Sequence, residues 1–231
     1  MKTLLRIETM ESRMRHWAAG RLKRMPALIK YKTLKQLEFL KEVCDHLDRV
    51  GAKYCVAGGF AFDGRRGSLT RMHKDVDIAF VEEQRSVIVA ALSEHGFRIR
   101  RWSPFITNAD KGRLDVDLYE WKPCGNGRLE CMMLDTVVRI PRAFLEDTWT
   151  VELMGVRYQI GSDALLISAL PFVQGDSDRA FISSLLTAVP ITVKTTTEVF
   201  TTTMEATVHE YAEMSNGSAV LACRPRTICE S

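Results

Sequence analysis

No stretch of this 231-residue sequence approaches the ~20 consecutive apolar residues of a membrane helix, which excludes a helical membrane span. The opening Met1-Lys2-Thr3-Leu4-Leu5 meets Arg6 and Glu8 at once, so a signal peptide is not expected. The six cysteines (Cys44, Cys55, Cys124, Cys131, Cys223 and Cys229) form no CxxC pair and no metal-ligand spacing. Four of them lie in apolar patterns, where reduced, buried thiols are expected, and a cytoplasmic location follows. Internal repeats are missing, as is the GxxxxGK[ST] of a P-loop. What remains is ordinary for a globular chain, with 46% hydrophobic and 26% charged residues.

The net charge of +3 hides an asymmetry. Residues 1–32 hold nine Lys/Arg against two Glu, whereas the rest of the chain is mildly acidic. Apolar residues from Leu4 to Ile29 recur at near-helical intervals, with Gly20 and Pro26 set to end or kink the helix. This arm reads either as a solvated helix face or as a nucleic-acid contact, with tRNA as the conceivable partner.

Leu34, Leu37, Leu40, Val43, Cys44, Leu47 and Val50 predict a second helix, stopped by Gly51. Strands are expected at Tyr54–Ala57, around Val76–Phe80, at Phe97–Trp102, at Leu114–Trp121 and near Leu129–Ile140. Short helices are expected over Phe60–Arg66 and Val87–Leu92. Past residue 141 a hairpin turns at Met154-Gly155, and Asp163 and Asp178 are expected to cap two helices. The Thr-rich stretch 187–207 is β-prone by composition, while 204–214 has helical spacing. The fold class is α+β, a mixed sheet flanked by helices. Three parts are expected: the arm at 1–32, a catalytic domain at 33–145, and a smaller, partly helical C-terminal region at 146–231.

The chemistry concentrates in residues 58–77. Asp75 and Asp77 are two apart on an expected strand, so both face one side, roughly 6–7 Å apart along it. Like charges held together call for a cation, and hard oxygen ligands favour magnesium or manganese. Asp115 and Asp117 repeat the pattern on a second strand. If the strands are neighbours, up to four carboxylates converge, enough for two metals ~4 Å apart and a spare oxygen as base. Gly58-Gly59 lies between a strand and a helix, where backbone N–H groups and the positive helix end suit triphosphate oxygens. Arg71, His73 and Lys74 can neutralise phosphate charge, Arg71 by chelating two oxygens.

Residues 55–77 resemble the signature of the polymerase-beta-like nucleotidyltransferases, and most of all their aminoglycoside and lincosamide branch. The outline GGxAxDxxxGxxTRxHxDxD is met at Gly58, Gly59, Ala61, Asp63, Gly67, Thr70, Arg71, His73, Asp75 and Asp77. More loosely, the likeness covers about residues 35–140. It implies a mixed-sheet catalytic domain, Mg²⁺ (two ions) and ATP or another nucleoside triphosphate as donor. It further implies Asp75 and Asp77 as metal ligands, and Asp115 as metal-bridging residue or general base, with Asp117 the alternative. Gly58, Gly59, Thr70, Arg71, His73 and Lys74 fall to the nucleotide, and Asp63 to bracing the loop. The chain departs from the pattern where family members often carry lysines on later helices, since Asp163–Phe172 has none. The acceptor is therefore open: a small hydroxyl-bearing antibiotic, or tRNA or a protein as in toxin-type relatives. A nucleotide-binding regulatory module without turnover is the third reading, and the oligomeric state is open.

Overall fold

The fold is described from a computed structural model, which covers residues 27–133, 136–173, 175–189, 191–201 and 204–213. The basic segment before residue 27, its expected helix and its expected nucleic-acid contact lie outside these, as do Cys223 and Cys229.

The first described helix, α1 (Ala27–Arg49), runs through residue 32, so the expected break there falls inside it. Leu37, Leu40, Val43, Cys44 and Leu47 form its buried stripe. Val50, expected to extend that stripe, is exposed instead. The chain reverses at Gly51 (φ +67°), where the Ala52 N–H donates to the Leu47 carbonyl and closes the helix.

β1 (Cys55–Ala57) runs straight into α2 (Gly58–Arg66), and β2 (Val76–Val81) returns antiparallel to β1 with Ala57 opposite Asp77. After α3 (Arg85–Glu94) come β3 (Arg98–Arg101), β4 (Ile106–Lys111) and β5 (Leu114–Gly125). The antiparallel strand β4 was not expected, because its sequence ITNADK has little apolar alternation. It holds because Asp110, buried there, is neutralised by Arg98 and Arg100 from β3. The single strand expected over 129–140 is two, β6 (Arg128–Met133) and β7 (Thr136–Pro141), paired antiparallel.

Beyond the four-residue α4 (Ala143–Glu146), β8 (Thr148–Leu153) and β9 (Val156–Gly161) form the expected hairpin, with Met154 and Gly155 both at positive φ. The main sheet does not stop at residue 145, because β9 pairs parallel to β1. α5 (Asp163–Ser168) is capped by the Ser162 side chain, which accepts from the Leu165 N–H. Asp163 is freed to bind Arg65 through two hydrogen bonds of 2.7 and 3.0 Å. Helix α6 (Asp176–Leu186) has Gly175 at its N-cap, and Asp178 is buried in its first turn rather than capping it. Finally β10 (Ile191–Thr201) and β11 (Met204–Glu213) form a hairpin, so β-branched composition outweighs the helical spacing after residue 204.

The strands follow the order β10-β11-β7-β6-β5-β2-β1-β9-β8, with β3 and β4 joined beside β5. β2 and β1 sit in the middle, and five of the six β2 residues are buried. Cys44, Cys55 and Cys131 are free, buried thiols, each pushed by burial up to about 12, and they serve as core. Among the described residues no helix is long and apolar enough to cross a membrane.

Candidate active site

Strands β2 and β5 are parallel neighbours, and their register sets Val76 opposite Val116 and Asp77 opposite Asp117. Val76, Val116, Ile78 and Leu118 point into the core, which turns Asp77 and Asp117 to the other face. The two acid-bearing strands are therefore neighbours, the condition under which their carboxylates could converge. They do not contribute equally. Asp77 is raised to about 7 by burial first, then by the like charges of Asp75 and Asp117. Asp117 is raised by burial too, with Asp75 and Asp115 adding to it and a hydrogen bond from Asn108 opposing. The β2–β5 register begins at Val76 and Val116 and so leaves Asp115 just outside it, opposite Asp110 of β4, which the β3 arginines bind.

The glycine pair opens α2, whose first turn has no side-chain cap and no acidic residue. Gly58 sits at φ +55°, and a Cβ there would overlap the Asp77 carboxylate. A Cβ on Gly59 would overlap the His73 ring and come within 2.7 Å of Arg71 Nη2. Both glycines thus let the DxD segment and the loop before it close onto the helix N-terminus. The uncapped N–H groups of that turn border the same space.

The loop is tied down by Asp63, fully buried in α2. Its carboxylate accepts from the Thr70 hydroxyl at 2.6 Å, the Thr70 N–H at 3.0 Å and His73 Nε2 at 2.7 Å. His73 is buried against the Phe60 ring. Thr70 and His73, expected at the nucleotide, hence spend the Thr70 hydroxyl and His73 Nε2 on Asp63, while His73 Nδ1 faces Gly59. Asp63→Ala would strand these donors, and a loss of about 3–5 kcal/mol is expected in chemical denaturation. Asp63→Ala unfolding at the wild-type midpoint would show the hub to be dispensable.

A cleft of about 620 Å³ opens above these groups. Gly58, Gly59, Arg71, Lys74, Asp75 and Asp77 line it, together with the apolar Trp121, Met133, Leu166 and Phe172. Asp115 and Asp117 do not line it, and neither do Thr70 and His73. Among the described residues no three His, Cys, Asp or Glu side chains stand ready to hold a metal ion by themselves. The donor chemistry nevertheless fits magnesium, which is commonly held by one or two carboxylates together with substrate phosphates and water. The crowding that raises Asp77 is the condition that a bound cation relieves.

Three residues at the site carry no signal in the sequence. Tyr119, on β5 and lining the cleft, acts on the Asp77 carboxyl against the burial that raises it. Asn108 donates its side-chain N–H to Asp117 Oδ1 at 3.0 Å, while its own buried Oδ1 has no partner. Asp178, from α6, binds both Arg66 and Arg71. All three arrive through long-range pairing that local patterns do not encode.

A mixed sheet with paired aspartates beside a glycine-led helix is the architecture of a nucleotidyltransferase. Residues 39–157 match the model of the aminoglycoside-2''-adenylyltransferase family, more than half of the chain, and the chain belongs to that family of nucleotidyltransferases. The match runs past the signature and takes in the β8–β9 turn. Among solved structures, ANT(2'')-Ia in complex with adenylyl-2''-tobramycin aligns at 17% identity with a TM-score of 0.51, covering 67% of this chain and 89% of that one. The solution structure of ANT(2'')-Ia gives the same identity and TM-score over 68% and 85%. The lincosamide antibiotic adenylyltransferase LnuA, lincomycin-bound, aligns at 17% identity and a TM-score of 0.47, over 65% and 94%. At such identities the likeness to the two ANT(2'')-Ia structures speaks for the fold alone. No curated protein matches the chain.

Proposed function

We propose that this protein transfers a nucleoside monophosphate from a nucleoside triphosphate, ATP by its family, to a hydroxyl of a small acceptor such as an aminoglycoside or lincosamide. The observation that carries this reading is the β2–β5 register, which sets Asp117 opposite the Asp77 that meets the uncapped start of α2. Magnesium, held by Asp75 and Asp77, would supply charge neutralisation on the triphosphate. The N–H groups of Gly58 and Gly59, with Arg71 and Lys74, bind the phosphate oxygens. Asp117 fits the third carboxylate role better than Asp115, because it lies opposite Asp77 and is steadied by Asn108. Since it stands behind the cleft wall, it takes the proton of the acceptor hydroxyl through one intervening water. The hydroxyl oxygen then bonds to the α-phosphorus, the bond from phosphorus to the bridging oxygen breaks, and pyrophosphate leaves with the electron pair. Positioning and charge neutralisation do most of the catalytic work.

Incubation with labelled ATP, GTP, CTP and UTP against aminoglycosides, lincosamides and total tRNA tests this directly. A labelled antibiotic and stoichiometric pyrophosphate, both abolished by EDTA, are expected. Label appearing only on tRNA would move the acceptor to nucleic acid, and no transfer to any acceptor would refute the reading.

A further inference from the structure

We propose that Asp178 is a positioning residue that presents Arg71 to the triphosphate, so that helix α6 belongs to the nucleotide site. The inference rests on the donor-site reading above.

Asp178 lies outside the signature, far along the chain, and is only 3% exposed. Each of its oxygens takes a different guanidinium: Oδ1 accepts from Arg66 Nη1 at 2.7 Å, and Oδ2 from Arg71 Nε at 3.2 Å. The two arginines are not equivalent. Arg66 is consumed by structure: its Nη2 donates to the Ser177 carbonyl at 2.7 Å, its Nη1 also reaches Thr70, and its plane covers the Phe181 ring. Its side chain is 13% exposed. Arg71 keeps 48% of its side chain exposed and lines the cleft. It is held through Nε, while Nη1 reaches the Met72 carbonyl at 3.4 Å and Nη2 lies over Gly59 at the start of α2. A guanidinium gripped at Nε has lost much of its rotamer freedom, yet still offers its outer N–H groups to phosphate oxygens.

The alternative partner makes the grip necessary. Arg71 already acts electrostatically on Asp77. Without Asp178, a free arginine beside Asp75 and Asp77 would fold onto those carboxylates and occupy the cation's place. Asp178 therefore does two things: it aims Arg71 at the phosphates, and it withholds Arg71 from the acids.

The test is a double-mutant cycle on the full chain with Asp178→Asn, Arg71→Ala and the pair, reading affinity for a non-hydrolysable triphosphate with Mg²⁺. Asp178→Asn keeps the side-chain shape and removes the charge, and should weaken binding about tenfold. In the Arg71→Ala background the same change should cost less than about twofold. Arg71→Lys, which keeps the charge but cannot be held at Nε, should resemble Arg71→Ala and needs no change at the buried acid. Equal losses from Asp178→Asn with and without Arg71, or wild-type affinity in Arg71→Lys, would overturn the inference. A wild-type protein that binds no triphosphate would instead overturn the donor-site reading, and this inference with it.

Discussion

Asp77→Asn should stabilise the metal-free protein above neutral pH while abolishing turnover. Burial, reinforced by Asp75 and Asp117, raises the Asp77 carboxyl to about 7, well above the ~3.9 of an unfolded aspartate. The folded state therefore holds the proton more tightly than the unfolded one, and ionising Asp77 costs stability. That cost is absent below about pH 4, grows between pH 4 and 7, and is constant above. The full shift corresponds to about 4 kcal/mol. Asp77 retains some contact with cleft water, so roughly half of that is expected as a gain in Asp77→Asn at pH 8, or about 4–8 °C in melting temperature. Thermal unfolding in EDTA from pH 4 to 8 checks it: the gain should shrink to nothing at the acid end. Activity should fall by about 10³-fold or more, since a neutral amide is a poor magnesium ligand. A variant less stable than wild type at pH 8, or one that still turns over, would contradict the electrostatic account.

The second large effect separates Asp115, which the family resemblance puts first, from Asp117, its alternative. Asp117→Asn should lower kcat by about 10²- to 10⁴-fold, the range for loss of a general base. Asp115→Asn should stay within about tenfold of wild type, because the β2–β5 register sets Asp117, not Asp115, opposite Asp77. Steady-state pyrophosphate release measures both. The reverse ranking would move the base along β5 to Asp115 and remove the role given to Asn108.

The amino-acid pattern made the working parts visible and hid their wiring. Two DxD strands and a Gly-Gly at a strand-to-helix junction are local features, legible from period and composition. That β2 and β5 are neighbours could be posed only as a condition, because strand pairing across a long connection leaves no local trace. For the same reason β4 was missed: Asp110 looks like a turn residue until Arg98 and Arg100 come from the adjacent strand. Thr70 and His73 match the signature, yet their direction was not written there. Only the folded chain turns them toward Asp63 and leaves Arg71 and Lys74 at the cleft. At the C-terminal end two local signals disagreed, and the hairpin prevailed because β11 had an existing edge, β7, to join.

Parallel strands cannot be linked by a tight turn, and the connection from β2 to β5 carries α3, β3 and β4. The acidic pair Asp77 and Asp117 consequently comes together only when that excursion has closed β5 onto β2. A half-organised molecule has no use for a nucleotide. Ligand occupancy thus rewards only the completed architecture, by about 2.7 kcal/mol at a hundredfold excess over Kd, and the substrate acts as a thermodynamic latch on the whole sheet.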